Sequence, residues 1–177
     1  MTYCSNCGQP VHLAIPSGDS KLRCICSACD TVHYENPRMI VGCLPRWEDK
    51  VLLCKRSNEP RRGTWTLPAG FLENGESVEA GAQRETVEEA NAEVNIVRLL
   101  SLYSVPTIGQ VYLFFLADLK NLNFHPGAET EVTALFRENE IPWNELSFPS
   151  VQFTLEQYFR NTDSAFDHVC IGVYEKP

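Results

Sequence analysis

The chain has 177 residues, enough for one main domain with a substantial core and a small appendage, but short of two full domains. Hydrophobic residues make up 44% of it, yet no apolar run approaches the ~20 residues that cross a bilayer, so we expect no membrane segment. A formal net charge of −8 argues against general binding to DNA or RNA, because such binding depends on Lys and Arg.

The first seven residues lack the basic segment and apolar stretch of a secretory signal, so we expect a cytoplasmic protein. In that compartment, eight cysteines favour metal binding over disulfides. Two Cys-x-x-Cys turns, with 18 residues between them, have the spacing of a four-thiolate zinc site. The predicted zinc ligands are Cys4, Cys7, Cys26 and Cys29.

Between these turns, residues 11–15 and 21–25 are predicted to form a hairpin that is too small to fold without a metal. The sequence therefore predicts a structural zinc ribbon over residues 1–35. A redox-active pair of turns and a metal-free pair are the alternatives. Cys24 has no second cysteine at the required spacing and is interpreted as a spare thiol.

The main domain, residues 36–177, begins with two strands predicted over residues 39–45 and 50–56. Cys43 and Cys54 lie inside these apolar runs, and Cys170 lies inside another run near the C-terminus. A free cysteine in such a run usually packs as a small hydrophobic residue. We therefore expect all three in the core.

Residues 65–76 are predicted as a loop, and residues 78–90 as a helix for which Ser77 is the N-cap. Gly81 costs about 1 kcal/mol inside a helix, so its presence calls for a structural reason. One helix face is predicted to pack on a sheet, through Ala80, Val87 and Ala90.

The other face of this helix carries acidic residues. At about 100° per residue, Glu85, Glu88 and Glu89 fall in one sector, with Gly81 one turn earlier. Like charges at this spacing repel, so the face requires compensation from water, from Arg84 or from cations. Mg²⁺ and Mn²⁺ bind carboxylate oxygens and bridge to phosphate oxygens, so the face suits phosphate chemistry. A solvated acidic face is the alternative.

Further strands are predicted over residues 94–103 and 110–119. A second helix is predicted over residues 151–159, with Ser150 at its start.

Residues 70–92 resemble the Nudix box. They show Gly70, five residues, Glu76, seven residues, and then Arg84, Glu85, Thr86, Val87, Glu88, Glu89, Ala90, Asn91 and Ala92. Thr86 replaces an aliphatic residue of the pattern, and Asn91 replaces a glycine, although Asn tolerates the left-handed conformation. The resemblance implies an α/β fold, the Nudix α/β/α sandwich with a mixed sheet, preceded by the zinc-ribbon hairpin.

A ribbon before the box is similar to that of the NADH pyrophosphatases, but their aromatic, proline-rich downstream signature is absent from residues 103–112. Residues 36–43, 105–110 and 124–130 look more like the ADP-ribose/FAD diphosphatase subgroup. This resemblance implies hydrolysis of ADP-ribose or FAD to AMP plus ribose 5-phosphate or FMN. NADH hydrolysis is the alternative.

The resemblance also implies roles for residues of the box. Mg²⁺ or Mn²⁺ would be bound by the backbone carbonyl near Gly70 and by Glu85, Glu88 and Glu89. Arg84 would orient Glu85 through a charge-assisted hydrogen bond, and Glu76 would cap or orient the loop. Outside the box, Glu129 is the candidate general base, and an exposed loop acid is the alternative interpretation.

Five further residues are expected near the substrate: Arg61, Arg62, Trp65, Tyr103 and Tyr112. The two arginines would contact phosphate, or else be solvated. The aromatic side chains would stack on a base or flavin, or else belong to the core.

Two other functions are alternatives for this chain. A sensor that binds a nucleotide without cleaving it would not require the cluster of acidic side chains. Nucleic-acid binding through the ribbon has little support, because Lys21 and Arg23 are its only basic residues. The expected partner is therefore a small molecule linked to a nucleoside diphosphate, and a homodimer stays open as the oligomeric state.

Overall fold

The computed structural model describes residues 1–161 and 168–175. They form two compact units, Met1–Asn36 and a second unit that begins at Pro37. No helix among the described residues is both long enough and apolar enough to cross a bilayer.

The first unit is a three-stranded antiparallel sheet. Its strands are β1 (Val11–Ala14), β2 (Arg23–Cys26) and β3 (Val32–His33), in that spatial order. The predicted hairpin is present, but β2 begins two residues later than expected. Asp19 accepts the backbone N–H groups of Ser20 and Lys21, at 2.6 and 3.1 Å, which keeps these residues in the turn. The third strand was not predicted.

The described residues of the second unit form eight strands and two longer helices. The strands are β4 (Arg38–Trp47), β5 (Lys50–Arg56), β6 (Trp65–Thr66), β7 (Ala69–Phe71), β8 (Val94–Val105), β9 (Gln110–Leu119), β10 (Thr130–Phe136) and β11 (Cys170–Val173). The helices are α1 (Val78–Ala90) and α2 (Pro149–Arg160). Short 3-10 turns occupy Pro106–Ile108, Glu138–Glu140 and Trp143–Glu145.

The sheet of the second unit is mixed, as predicted. Its main path runs β10-β5-β4-β9-β8-β11, while β6 pairs with β5 and β7 pairs with β4. The β4–β9 and β8–β11 pairs are parallel, and the other pairs are antiparallel. Pairing of β4 with β7 sets Val41 opposite Gly70, which brings the start of the box onto the central strand.

The two helices cover opposite faces of this sheet. On β5, Leu52 and Cys54 join the core cluster that contains Ala82 and Ala90 of α1. The alternating residues Val51 and Leu53 join the cluster beneath α2, together with Val151 and Leu155. Apolar side chains on both faces of a strand are typical of a sheet covered on both sides. This confirms the predicted α/β fold with helices on both faces.

In the second unit, three predicted elements have different bounds in the structure. β4 and β8 both extend beyond their predicted ends, to Trp47 and Val105. Helix α2 begins at Pro149, whose missing N–H costs nothing at a first helical position. Ser150 therefore lies inside the first turn and is not the N-cap. Phe148 takes that position without a side-chain hydrogen bond.

Helix α1 buries a different face from the one predicted. Ala80 and Val87 are exposed, whereas Ala90 is buried as expected. The buried stripe consists of Gly81, Ala82, Glu85, Thr86, Glu89 and Ala90. Thr86 is fully buried because its hydroxyl donates to the carbonyl of Ala82 at 2.8 Å, which satisfies the polar group inside the helix. The predicted packing through Ala80 and Val87 was thus wrong, and two acidic residues share the buried face.

The cysteines outside the ribbon turns lie where the sequence predicts. Cys43 and Cys54 are fully buried, and Cys170 is 7% exposed. Cys24 is partly exposed, and its Sγ lies 3.9 Å from the carbonyl of Met1.

Candidate active site and zinc centre

The ribbon unit brings its four predicted ligands together. The sulfur atoms of Cys4, Cys7, Cys26 and Cys29 all lie within 4.8 Å of one another. Cys4 and Cys26 are buried, Cys29 is partly buried and Cys7 is exposed. Four thiolates at this mutual spacing fit the tetrahedral, closed coordination of a structural zinc ion.

In the second unit, the site begins at a close approach between β7 and α1. A Cβ atom on Gly70 would overlap the carboxylate of Glu85, so only glycine permits this approach. One turn earlier in α1, a Cβ on Gly81 would lie 2.8 Å from Oε1 of Glu76 and 2.9 Å from Cγ2 of Val41. The helix therefore includes Gly81 despite its propensity cost, because a side chain there would separate α1 from the sheet.

Both ends of α1 are capped. The hydroxyl of Ser77 accepts the N–H of Ala80 at 3.2 Å, which confirms the predicted N-cap. At the other end, Asn91 adopts the left-handed conformation with φ 46°, and its N–H donates to the carbonyl of Val87. Asn91 therefore supplies the conformation for which the box pattern has glycine.

Arg84 links the acidic residues of the box. Its guanidinium donates to Glu76 at 2.8 and 3.1 Å, to Glu85 at 2.7 Å and to Glu88 at 3.3 Å. It also donates to the backbone carbonyl of Phe71 at 3.1 Å. The hydrogen bonds to Glu76 raise the pKa of Arg84, and the same contact lowers the pKa of Glu76. Arg84 thus joins the helix to the loop that precedes it.

Two carboxylates of this cluster are buried. Glu85 is 9% and Glu89 8% exposed. Burial is the main cause that raises the pKa of Glu89 to about 8, despite a 3.2 Å hydrogen bond from the N–H of Ala69. Burial also raises the pKa of Glu85, against the opposing effect of Arg84. The charged form of two buried acids on one helix face is energetically unfavourable unless a positive charge lies nearby.

Glu88 and Glu129 border these buried acids. The side chain of Glu88 is 57% exposed. Glu129 is also exposed, and its negative charge adds, after burial, to the raised pKa values of Glu85 and Glu89. The structure therefore assembles all four acids in one region.

The loop before Glu129 is fixed to the end of α1. The N–H groups of His125 and Gly127 donate to the carbonyls of Ala90 and Glu89, both at 2.9 Å. A Cβ on Gly127 would overlap the backbone carbonyl of Glu88. Because Gly127 approaches the helix so closely, the loop packs against the last turn of α1, two residues before Glu129.

The acidic cluster fits divalent cations in its chemistry. Its ligands would be hard carboxylate oxygens, and among the described residues only two of its four acids, Glu85 and Glu88, form ion pairs, both with Arg84. The side chains are arranged around Arg84, however, and among the described residues only the four cysteines place three or more metal-binding atoms within 4.8 Å. Carboxylate rotation towards a cation would therefore exchange part of the Arg84 contacts for metal contacts.

The predicted aromatic residues lie mainly in the core. Trp65 packs edge-on against Phe136, with ring centroids 4.9 Å apart. Tyr103 is 7% exposed and contacts Phe153 of α2 at 5.1 Å. Tyr112 is partly buried, and the charge of Arg56 acts on its hydroxyl group. Of the three, Tyr112 is the one that this electrostatic interaction links to the acidic region.

The two predicted substrate arginines are exposed in the loop between β5 and β6. Arg61 has φ 68°, and Arg62 lies 3.5 Å from the carboxylate of Glu131. The N–H of Ser57 donates to the backbone carbonyl of Glu129 at 3.0 Å, which holds the start of this loop beside the candidate base. The structure thus places the loop at the edge of the acidic cluster.

Two residues near the site were missed by sequence reasoning. Arg56 ends β5, and its positive charge partly opposes the burial that raises the pKa of Glu89 and of Tyr112. Phe71 directly follows Gly70 and is 50% exposed, with the guanidinium of Arg38 5.3 Å from its ring centre. The available signals were a charged residue at the end of a buried strand and a large aromatic residue directly after a box glycine.

Two models of known protein families match this chain. Residues 36–159 match the model of the NUDIX domain, and residues 2–35 match the zinc-ribbon model described as Nudix N-terminal. The chain therefore belongs to the Nudix family and carries its N-terminal zinc ribbon. It is similar to a Nudix hydrolase of known crystal structure from Nitrosomonas europaea, with 50% identity, a TM-score of 0.95, and coverage of 99% of this chain and 100% of that one.

Two curated relatives have more specific names. The NAD-capped RNA hydrolase NudC of Photorhabdus laumondii is 33% identical over 118 residues, which cover 66% of this chain and 43% of that protein. The ADP-ribose pyrophosphatase of Methanocaldococcus jannaschii is 31% identical over 113 residues, which cover 62% of this chain and 67% of that protein. The chain spans about half the length of the NudC relatives that it matches.

Proposed function

We propose that this chain hydrolyses the pyrophosphate bond of a nucleoside diphosphate linked to another group, with Mg²⁺ or Mn²⁺ as cofactor. The proposed substrates are ADP-ribose and FAD, which would give AMP plus ribose 5-phosphate or FMN. The observation that carries the proposal is the packing of Gly70 against Glu85, which Arg84 holds beside the buried Glu89.

The acidic face of α1 would hold the cations through Glu85, Glu88 and Glu89. When bound, the divalent ions would neutralise the phosphates and lower the pKa of the attacking water. Arg84 positions Glu85 by a 2.7 Å charge-assisted hydrogen bond. Gly70 supports the same geometry by leaving room for this carboxylate, and its own carbonyl is a further proposed ligand.

Glu129 is the proposed general base for the water. Its loop is fixed to α1 by two backbone hydrogen bonds, and its charge acts on both buried acids. A base must lie within hydrogen-bond reach of the water that it deprotonates. Because Glu129 is exposed and not held by Arg84, its carboxylate is free to accept that proton.

Arg56, Arg61 and Arg62 are further sources of positive charge, at the end of β5 and in the loop that follows it. Arg56 is the best placed of them, because its charge reaches Glu89 at the centre of the cluster. We assign it to an oxygen of the pyrophosphate. The exposed ring of Phe71 adjoins Gly70 and offers a stacking surface for a base. Together they would hold the substrate across the acidic face.

The choice between substrates depends on the loops, since the box treats all pyrophosphates alike. The ADP-ribose pyrophosphatase relative is matched over 67% of its length, whereas the NudC relative is matched over 43%. This difference supports ADP-ribose as the first candidate, while FAD depends on the resemblance of residues 36–43, 105–110 and 124–130 alone. The NudC relatives favour an NAD-linked pyrophosphate as the second.

The test is a panel assay with the zinc-loaded protein, with and without added Mg²⁺. The panel comprises ADP-ribose, FAD, NADH, diadenosine polyphosphates and NAD-capped RNA. The readout is release of AMP or FMN, or of nicotinamide mononucleotide from the capped RNA. We expect kcat/KM for ADP-ribose or FAD to exceed that for NADH at least tenfold, which corresponds to about 1.4 kcal/mol in transition-state binding.

Two variants serve as controls in this assay. Glu85→Gln should abolish turnover, while Glu79→Gln, at an exposed position of the same helix, should not change it. NADH hydrolysis ten times more efficient than both ADP-ribose and FAD hydrolysis would overturn the substrate proposal. Nucleotide binding without turnover of any compound would favour the sensor function instead.

A further inference from the structure

The third strand of the ribbon brings a histidine to the zinc centre. Pairing of β3 with β2 sets His33 opposite Cys24, and the Nε2 atom of His33 lies 3.2 Å from the Sγ atom of Cys4. Cys4 is 3% exposed. The contact therefore joins a buried thiol to a ring that can donate a hydrogen bond.

A second hydrogen-bond group surrounds Cys29. The hydroxyl of Thr31 lies 3.1 Å from the Sγ atom of Cys29. The side-chain amide of Asn6 donates to that hydroxyl at 3.4 Å and to the same sulfur at 3.8 Å. The backbone N–H of Asn6 donates to Cys4 at 3.4 Å. Cys4 and Cys29 thus each have two donors in addition to the other cysteines.

Zinc binding fixes the direction of these hydrogen bonds. A zinc-bound cysteine is a thiolate and carries no proton, so the ring of His33 and the hydroxyl of Thr31 must be the donors. His33 must then carry a proton on Nε2. Four thiolates around one Zn²⁺ leave the centre with two excess negative charges, and donors directed at the sulfurs reduce the cost of that charge.

We propose that His33 and Thr31 are positioning residues of the zinc centre, whose hydrogen bonds to the thiolates of Cys4 and Cys29 determine how tightly the ribbon holds zinc. The short β3 strand is the element that supplies them, because Thr31 directly precedes it and His33 ends it. The proposal is independent of the pyrophosphatase reaction.

The test compares the zinc affinity of variants of the full-length, zinc-loaded protein, measured by the extent of zinc transfer to a chromogenic chelator at equilibrium. His33→Ala should lower zinc affinity by about tenfold or more, within the range typical for the loss of a partner of a metal ligand. His33→Gln, which retains an N–H donor, should recover most of the affinity. His12→Ala is the matched control, since His12 contacts Ser27 at 3.0 Å and is exposed in the same sheet.

Cobalt substitution adds a readout that a purely structural role would not change. Loss of the donor to Cys4 should shift the sulfur-to-cobalt charge-transfer band in His33→Ala, and His33→Gln should return it towards wild type. Thr31→Val is the second variant, and Thr31→Ser is its conservative partner. Zinc transfer and cobalt spectra in His33→Ala and Thr31→Val that equal those of His12→Ala would overturn the proposal. Equal zinc loss in His33→Ala and His33→Gln would overturn it as well.

Discussion

Replacement of Glu89 by Gln should stabilise the metal-free protein against unfolding, because it removes a buried carboxylate whose charged form is unfavourable. Glu89 is 8% exposed, and burial is the main cause that raises its pKa to about 8 from a reference value of 4.5. At 1.36 kcal/mol per pH unit, this rise corresponds to on the order of 5 kcal/mol against the charged form. Gln has nearly the same shape and carries no charge.

The sign of the effect follows from proton linkage. Since the folded-state pKa of Glu89 is raised, the folded state binds more protons than the unfolded state between pH 4.5 and about 8. The associated stability is present at low pH and is lost as the pH rises through this window. Between pH 6 and pH 8 the expected loss is about 2 kcal/mol in the wild type, and this component should be absent from Glu89→Gln.

The assay is urea unfolding at pH 6 and pH 8 in buffers depleted of divalent ions without chelators, so that zinc stays bound. All three tryptophans lie beyond residue 36, so their fluorescence reports on the second unit. Glu79→Gln controls for the loss of a charge at an exposed position of the same helix. Parallel loss of stability in wild type and Glu89→Gln would refute the reasoning. Added Mg²⁺ should stabilise wild type at pH 8 but not Glu89→Gln.

Three further changes test other parts of the structure. Gly70→Ala should lower kcat by at least about 100-fold, since its Cβ would displace the Glu85 carboxylate, and steady-state assays with unchanged turnover would contradict this. Cys26→Ser should lose zinc and lower the temperature at which the protein unfolds, and elemental analysis showing full zinc content would make the ribbon assignment wrong. Arg56→Ala should lower kcat/KM about tenfold with Mg²⁺ binding retained, and an unchanged kcat/KM would remove Arg56 from the substrate site.

Much of the fold could be predicted because its signals are local. The apolar run of β5 and the helical segment of α1 both appear in the structure with the predicted bounds. The cap at Ser77 and the left-handed Asn91 each depend on a few consecutive residues. Cysteine spacing likewise determined the four members of the zinc centre, since each pair lies within one tight turn.

The features that could not be predicted depend on contacts between distant segments. Helical periodicity identified the acidic sector of α1 but not that Glu85 and Glu89 would lie on the buried side. Gly70 leaves room for this arrangement, because a Cβ atom there would overlap the carboxylate of Glu85. The hydrogen bond of His33 depends on a two-residue strand, which is too short to give a period in the sequence. The electrostatic interaction of Arg56 with Glu89 joins residues that lie 33 positions apart in the sequence.

The guanidinium of Arg84, which binds the acids, also binds the last residue of β7. Arg84 donates to the carboxylate of Glu85 and to the backbone carbonyl of Phe71, at 2.7 and 3.1 Å. Phe71 is the proposed stacking surface, and its neighbour Gly70 is both the proposed source of a metal-binding carbonyl and the residue that makes room for Glu85. The position of a base stacked on Phe71 would therefore be set relative to the carboxylates through one short backbone segment. A pyrophosphate between them would be held at a defined distance from the attacking water, because neither side of the site can move without disturbing Arg84.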